Sequence, residues 1–216
     1  CQDGDMVLMD VAAEYAGWAS DLTRTVPVNG KFTKRQRDVY DAVLRVFHGA
    51  NGILRPGNTP MEYQKQVVEL MERELVHLGL FSAKEAREQG PDKALVKKYF
   101  MHGTSHHLGL DVHDVSPPHA PFAEGMVFTI EPGIYIREEA MGVRLENDFL
   151  IGKDGNFDLM GKIPIEAEET EALMRRAAAS APSASARLRL SSGGEGRAVM
   201  RVIKIGRASC RERVSS

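Results

Sequence analysis

The sequence predicts an α+β fold, antiparallel strands with flanking helices, on three observations. A strand hairpin opens the chain, two capping boxes start long amphipathic helices, and after Tyr99 short apolar runs alternate with turn residues. Met6-Val-Leu-Met and the looser alternation Glu14-Tyr-Ala-Gly-Trp-Ala-Ser read as the two hairpin strands, with Asp10 and Asp21 near their ends. Thr33 with Gln36 forms the first capping box, and Val39, Val43, Leu44 and Phe47 line one face of a helix that stops before Arg55-Pro56-Gly57-Asn58. Thr59 with Glu62 forms the second box, with Pro60 at the first helical position. Tyr63, Val67, Leu70, Met71, Leu75 and Leu78 then share a face up to Gly79, and Ser82 with Glu85 starts a shorter third helix.

The second half turns to β. His102 to His113 is polar and rich in glycine and histidine, and Ser116-Pro117-Pro118 forces a loop. Val127 to Ile130, Ile134 to Ile136, Val143 to Leu145 and Phe149 to Ile151 read as strands. Asp154-Gly155 turns the chain into a closing strand from Phe157 to Met160, and Glu166 to Leu173 reads as a terminal helix.

Composition narrows the function classes. With 216 residues, 43% apolar and 27% charged, the chain can bury one sizeable core, which excludes a disordered polymer, a collagen-like repeat and a disulfide-framed mini-protein. Cys1 and Cys210 sit at opposite ends and give no disulfide framework, which points to a reducing, cytoplasmic compartment. No apolar run approaches the roughly 18–20 residues that cross a bilayer, so no membrane partner is expected. The net charge of −2 hides a split: Met174 to Ser216 carries ten Lys or Arg against two Glu, and residues 1–173 carry 18 basic and 28 acidic side chains. An acidic body suits metal cations better than nucleic acid. The basic stretch 174–216, with an Ala/Ser/Pro run and a segment around Ile205 to Val214 that looks like a translated sequencing adaptor, reads as a non-native, disordered tail and no nucleic-acid site. The domain proper is placed at residues 1–173.

Asp10, Asp21, His106, Glu131 and Glu146 each stand at or near a strand end. Any one of them alone reads as a solvated turn residue. Glu131 and Glu146, however, lie in apolar surroundings, Phe-Thr-Ile-Glu-Pro-Gly and Val-Arg-Leu-Glu-Asn-Asp, where a lone buried carboxylate needs a cation or a cluster of donors. A mostly oxygen shell with one nitrogen suits Mn²⁺, Fe²⁺, Co²⁺ or Zn²⁺. Asp111, Asp114, Asp148 and His119 read as surface or hydrogen-bonding groups.

These residues carry a resemblance. Asp10-Val-Ala-Ala-Glu-Tyr-Ala-Gly-Trp-Ala-Ser-Asp21-Leu-Thr-Arg-Thr resembles the first metal-ligand stretch of pita-bread metallopeptidases. His102-Gly-Thr-Ser-His106-His-Leu-Gly-Leu-Asp-Val-His113-Asp resembles the histidine stretch of the proline-specific branch, that of Xaa-Pro aminopeptidases and the related Xaa-Pro dipeptidases (prolidases). Glu131 in Glu-Pro-Gly-Ile-Tyr and Glu146 in Gly-Val-Arg-Leu-Glu-Asn complete the set, over about residues 3–173. The resemblance implies the C-terminal portion of a pita-bread domain, with further strands, a helix and another active-site histidine upstream of Asp10.

It also implies two divalent ions, Mn²⁺ being usual in this branch, bridged by Asp21 and Glu146, with Asp10 on one ion and His106 and Glu131 on the other. Such ions, about 3.5–4 Å apart, would hold a hydroxide that attacks the bond between an N-terminal residue and a following proline. Glu131 would double as general base, His102 and His113 would flank the substrate, and Arg144 would orient a ligand carboxylate. The spacing to His102 favours His106 over His107 as ligand. Peptides with proline in second position are the implied partners, in a homo-oligomeric parent protein. The alternatives are a prolidase, a methionine aminopeptidase and a pita-bread module that binds peptides without cleaving them.

Overall fold

The computed structural model describes residues 1–180 and 196–205. β1 (Met6–Tyr15) pairs antiparallel with β3 (Leu22–Pro27), Met6 opposite Pro27 and Val11 opposite Leu22. Between them β2 (Trp18–Ala19) folds back on the end of β1, Tyr15 opposite Trp18. The reversal falls at Ala16 and Gly17, with φ of 52° and 83°, the left-handed pair that a two-residue hairpin loop requires. It lies inside the run expected as one strand, so the apolar alternation from Glu14 to Ser20 is a turn with two short flanks. The first strand is longer than expected, and Asp10 sits within it rather than at its end.

α1 (Lys34–Ile53) and α2 (Pro60–His77) form where their capping boxes predict, and in both boxes the reciprocal side-chain and backbone bonds are made. Val39, Val43 and Phe47 of α1 and Tyr63, Val67, Met71 and Leu75 of α2 are buried between the two helices and the sheets. Gly79, at φ 73°, ends the second. α3 (Ala83–Glu88) carries the Ser82 and Glu85 box. α4 (Ala94–Tyr99) was not expected: one and a half turns are too short to show a period, and Lys93 at its start makes no side-chain cap. It forms because Val96 and Tyr99 find burial in the same core.

The remaining strands are β4 (Val127–Ile130), β5 (Gly133–Ile136), β6 (Met141–Arg144), β7 (Asn147–Leu150) and β8 (Phe157–Asp158). β4, β7 and β8 make one sheet in that order, and β5 with β6 a two-stranded hairpin, all antiparallel. Ile130, Ile134, Val143 and Phe149 point from these strands into the core lined by α1. β6 and β7 begin and end a residue or two earlier than expected, which leaves Leu145 and Glu146 between them.

α5 (Ala167–Ser180) passes the boundary expected at Leu173, since alanine continues a helix at least cost. Residues 196–205, expected as disordered tail, form β9 (Gly196–Ile205), which pairs antiparallel with β1 from Met6 opposite Ile205 to Tyr15 opposite Gly196. It takes the edge of β1 that β3 leaves open, where unpaired backbone groups attract another strand. The rest of the expected tail lies outside the described residues. No helix among them is long and apolar enough to cross a membrane.

Candidate metal centre

Backbone pairing brings the five expected ligands together. Asp10 faces Thr23 across the β1–β3 ladder, and Asp21 precedes β3. Glu146 joins them through an isolated bridge to Thr23, its N–H donating to Thr23 O at 3.1 Å. The segment Thr104 to His107 runs beside β4: Glu131 N–H donates to Thr104 O at 2.7 Å, and Thr129 N–H to His106 O at 3.0 Å. His106 and Glu131 are thereby fixed next to each other.

Ligand atoms of Asp10, Asp21 and Glu146 lie within 4.8 Å of one another, and so do those of His106, Glu131 and Glu146. Glu146 belongs to both triads. His106 Nε2 stands 3.5 Å from Asp21 Oδ2, 3.6 Å from Glu131 Oε1 and 4.0 Å from Glu146 Oε1. A third triad joins Asp21 and His106 to His113, whose ring stacks on that of His106 with centroids 4.0 Å apart. His113, placed by the resemblance beside the substrate, is thus also within reach of an ion. His107 turns away, its Nδ1 3.0 Å from Val115 O.

The electrostatics of this cluster follow from burial. Desolvation, with Asp21 and Asp10 adding repulsion, pushes the Glu131 carboxyl up to about 7, although His106 and Arg144 pull it down. Glu146, 2% exposed, is raised well above the usual carboxylate range by burial first, then by Glu131 and Asp21. Burial alone would lower the His106 imidazole, but its bond to Asp21 and the charge of Glu131 prevail and raise it. Glu146 Oε1 and Asp21 Oδ1 are buried with no hydrogen-bond partner among the described residues. Orphaned carboxylate oxygens of this kind cost several kcal/mol unless a cation takes them. The donor set of carboxylates and one imidazole fits divalent ions of the Mn²⁺ to Zn²⁺ type.

A hydrogen-bonded network surrounds the cluster. Arg144 Nη2 meets Asp10 Oδ2 at 2.6 Å, its Nε donates to Thr23 Oγ1 at 3.1 Å and its Nη1 to Tyr135 Oη at 3.3 Å. Thr23 Oγ1 in turn donates to Glu146 Oε2 at 2.6 Å. Desolvation works against the Arg144 charge, yet Tyr135, Glu146 and Asp10 outweigh it and raise its pKa. His102 has Nδ1 2.8 Å from Gly103 O and Nε2 2.8 Å from Tyr135 Oη, and burial, with Arg144 adding repulsion, pushes it down to about 4.

Four residues around the cluster, Tyr135, Asp148, Thr23 and Arg24, were not singled out as site residues from the sequence. Asp148, taken as a surface or hydrogen-bonding group, is buried and accepts from Asp21 N–H at 3.1 Å. Spacing could have pointed to Thr23, two residues after Asp21. Arg24, on the opposite face, gave no signal.

Residues 1–153 match the profile of metallopeptidase family M24, and the chain belongs to that family. It is 43% identical over 185 residues to the Xaa-Pro aminopeptidase of Escherichia coli K12, covering 80% of this chain and 42% of that protein. Human Xaa-Pro aminopeptidase 3 is 36% identical over 187 residues, 82% of this chain and 36% of that protein. Zinc-substituted E. coli aminopeptidase P in complex with product superposes with a TM-score of 0.72 at 41% identity, over 82% of this chain and 42% of that one. Pseudomonas aeruginosa aminopeptidase PepP gives 0.73 at 33% identity, over 83% and 43%. The mixed helix and antiparallel-sheet architecture is that of the pita-bread domain these structures share. The chain spans about two fifths of the length of the relatives it matches.

Proposed function

We propose that this chain carries the dinuclear metal centre of an aminopeptidase that removes an N-terminal residue ahead of proline. The observation that carries the reading is the pair of ligand triads sharing Glu146. Asp21 and Glu146 would bridge, Asp10 would complete one site, and His106 and Glu131 the other. Two divalent ions held there, Mn²⁺ by the resemblance, would supply Lewis-acid polarisation of the scissile carbonyl and lower the pKa of the attacking water.

The chain's own residues do the rest. Glu131, in the triad with His106 and Glu146, would take the proton of the attacking water and return it to the leaving nitrogen. His102, kept neutral with Nδ1 on Gly103 O, presents Tyr135 Oη through Nε2 toward Arg144. His113, exposed beside His106, can donate to the substrate carbonyl as charge develops there. Arg144 holds Asp10 in a fixed rotamer and offsets its charge. The name Xaa-Pro aminopeptidase borne by the relatives supports the proline specificity. Peptide partners, a homo-oligomeric parent and a cytoplasmic location belong to the same proposal, as does the non-native origin of the chain after residue 173.

The test uses the full-length parent protein, stripped with a chelator and reloaded with Mn²⁺. Two ions bound per chain and metal-dependent cleavage of an Xaa-Pro-Yaa tripeptide are expected. Faster cleavage of an Xaa-Pro dipeptide than of the tripeptide would make it a prolidase instead. Peptide binding with no ion bound would refute the enzyme.

A further inference from the structure

Arg24 is only 7% exposed, and its hydrogen bonds end on backbone carbonyls instead of a carboxylate. Nε donates to Pro164 O at 2.7 Å and Nη2 to Ile163 O at 3.2 Å, both in the loop ahead of α5. Nη1 donates to Thr23 O at 2.9 Å and to Glu146 O at 2.8 Å. A guanidinium is costly to bury, and a neutral side chain would fill the same space without that cost. Burial indeed lowers its pKa.

The position of Nη1 accounts for the charge. Thr23 O already accepts from Glu146 N–H at 3.1 Å. With Arg24 added, both backbone polar groups of Glu146 are tied to β3: its N–H directly, its carbonyl through Nη1. The side chain is tied as well, Oε2 accepting from Thr23 Oγ1 at 2.6 Å. Only Oε1 is left free of donors, and it faces His106 Nε2 at 4.0 Å. A residue between two strand ends would otherwise rotate about its peptide planes, and small rotations there carry a side-chain oxygen out of ligand distance.

We propose that Arg24 is a positioning residue for Glu146, clamping the peptide unit of the ligand shared by both triads and placing a fixed positive charge behind it. The inference rests on the metal-centre reading above. It assigns to a buried strand arginine, which touches no ion, the task of setting the affinity for both ions at once. Arg24→Met removes the clamp, and Arg24→Lys keeps a charge but has one ammonium where four carbonyl contacts are required. Tyr40→Phe is the control, because Tyr40 Oη donates to Ile165 O of the same loop at 2.7 Å without reaching Glu146.

Mn²⁺ alone is titrated into each whole-chain variant after chelation, with free Mn²⁺ read by electron paramagnetic resonance at a temperature below all the melts. The expected result is a 10–100-fold weaker Mn²⁺ affinity in Arg24→Met, the range found when outer-shell partners of metal ligands are lost. Arg24→Lys should fall in between, and Tyr40→Phe should stay within twofold of the parent although it melts earlier. Unchanged affinity in Arg24→Met, or an equal loss in Tyr40→Phe, overturns the proposal. So does failure of both Arg24 variants to fold, which would make the arginine purely structural. A parent chain that binds no Mn²⁺ is a separate outcome, which sinks the metal-centre reading itself.

Discussion

In the metal-free protein Glu131 is a liability whose size can be worked out. Its pKa stands at about 7 against 4.5 for an exposed carboxyl, and its side chain is 18% exposed. At about 1.4 kcal/mol per tenfold, full ionisation of such a group costs the folded state roughly 3 kcal/mol. The sign follows from proton binding: between the two pKa values the folded chain holds a proton that the unfolded chain has released. The stability is therefore complete below about pH 4.5 and is lost as pH rises through about 7. Glu131→Gln abolishes that loss. With chelator present, the variant and the parent should melt together near pH 4.5, and near pH 8 the variant should be more stable by up to about 3 kcal/mol, roughly 6–12 °C for a chain of this size. Mn²⁺ at about 1,000 times its Kd should reverse the order, since such a ligand stabilises by about 4.1 kcal/mol only the chain that binds it. Paired thermal melts at the two pH values measure this. Parallel curves for parent and variant, or a variant less stable at pH 8, would refute the argument that burial and carboxylate repulsion dominate the site.

Other outcomes follow from the same geometry. Thr23→Val strips the hydroxyl that donates to Glu146 Oε2 and accepts from Arg144 Nε; denaturant unfolding should show a loss of about 1–3 kcal/mol, with Thr23→Ser recovering most of it. Asp148→Ala leaves the Asp21 N–H without its acceptor, and calorimetric Mn²⁺ titration should give about 10–100-fold weaker binding, whereas Asp148→Asn should retain most of the affinity. The His102 ring, lowered to about 4, should titrate near that value in a proton NMR series. It contributes stability that is present above about pH 6.5 and is lost as pH falls toward 4, and a midpoint near 6.5 would mean the ring is not desolvated. Thr33→Ala, which removes the bond to Gln36 N–H at the start of α1, should cost about 1 kcal/mol in a urea melt and leave Mn²⁺ binding unchanged.

What the sequence determined by itself is what short-range chemistry controls. Thr33, Thr59 and Ser82 satisfy their own helix N-termini within three residues, so the starts of α1, α2 and α3 were legible from spacing alone. Glu131 and Glu146 stood out because they sit in apolar strand contexts where a bare carboxylate needs a cation or a cluster of donors. The turn at Ala16-Gly17 was not legible against its apolar flanks, nor was α4, whose six residues are too few for a period. Tertiary structure alone decided which groups share the buried space around Glu146. Asp148 reads as polar until β7 carries it behind Asp21, and Arg24 is an ordinary strand residue until β3 sets its guanidinium against the carbonyls of Glu146 and Pro164. Those partners lie more than a hundred residues away along the chain, and contact over such a distance is set by how strands and helices pack.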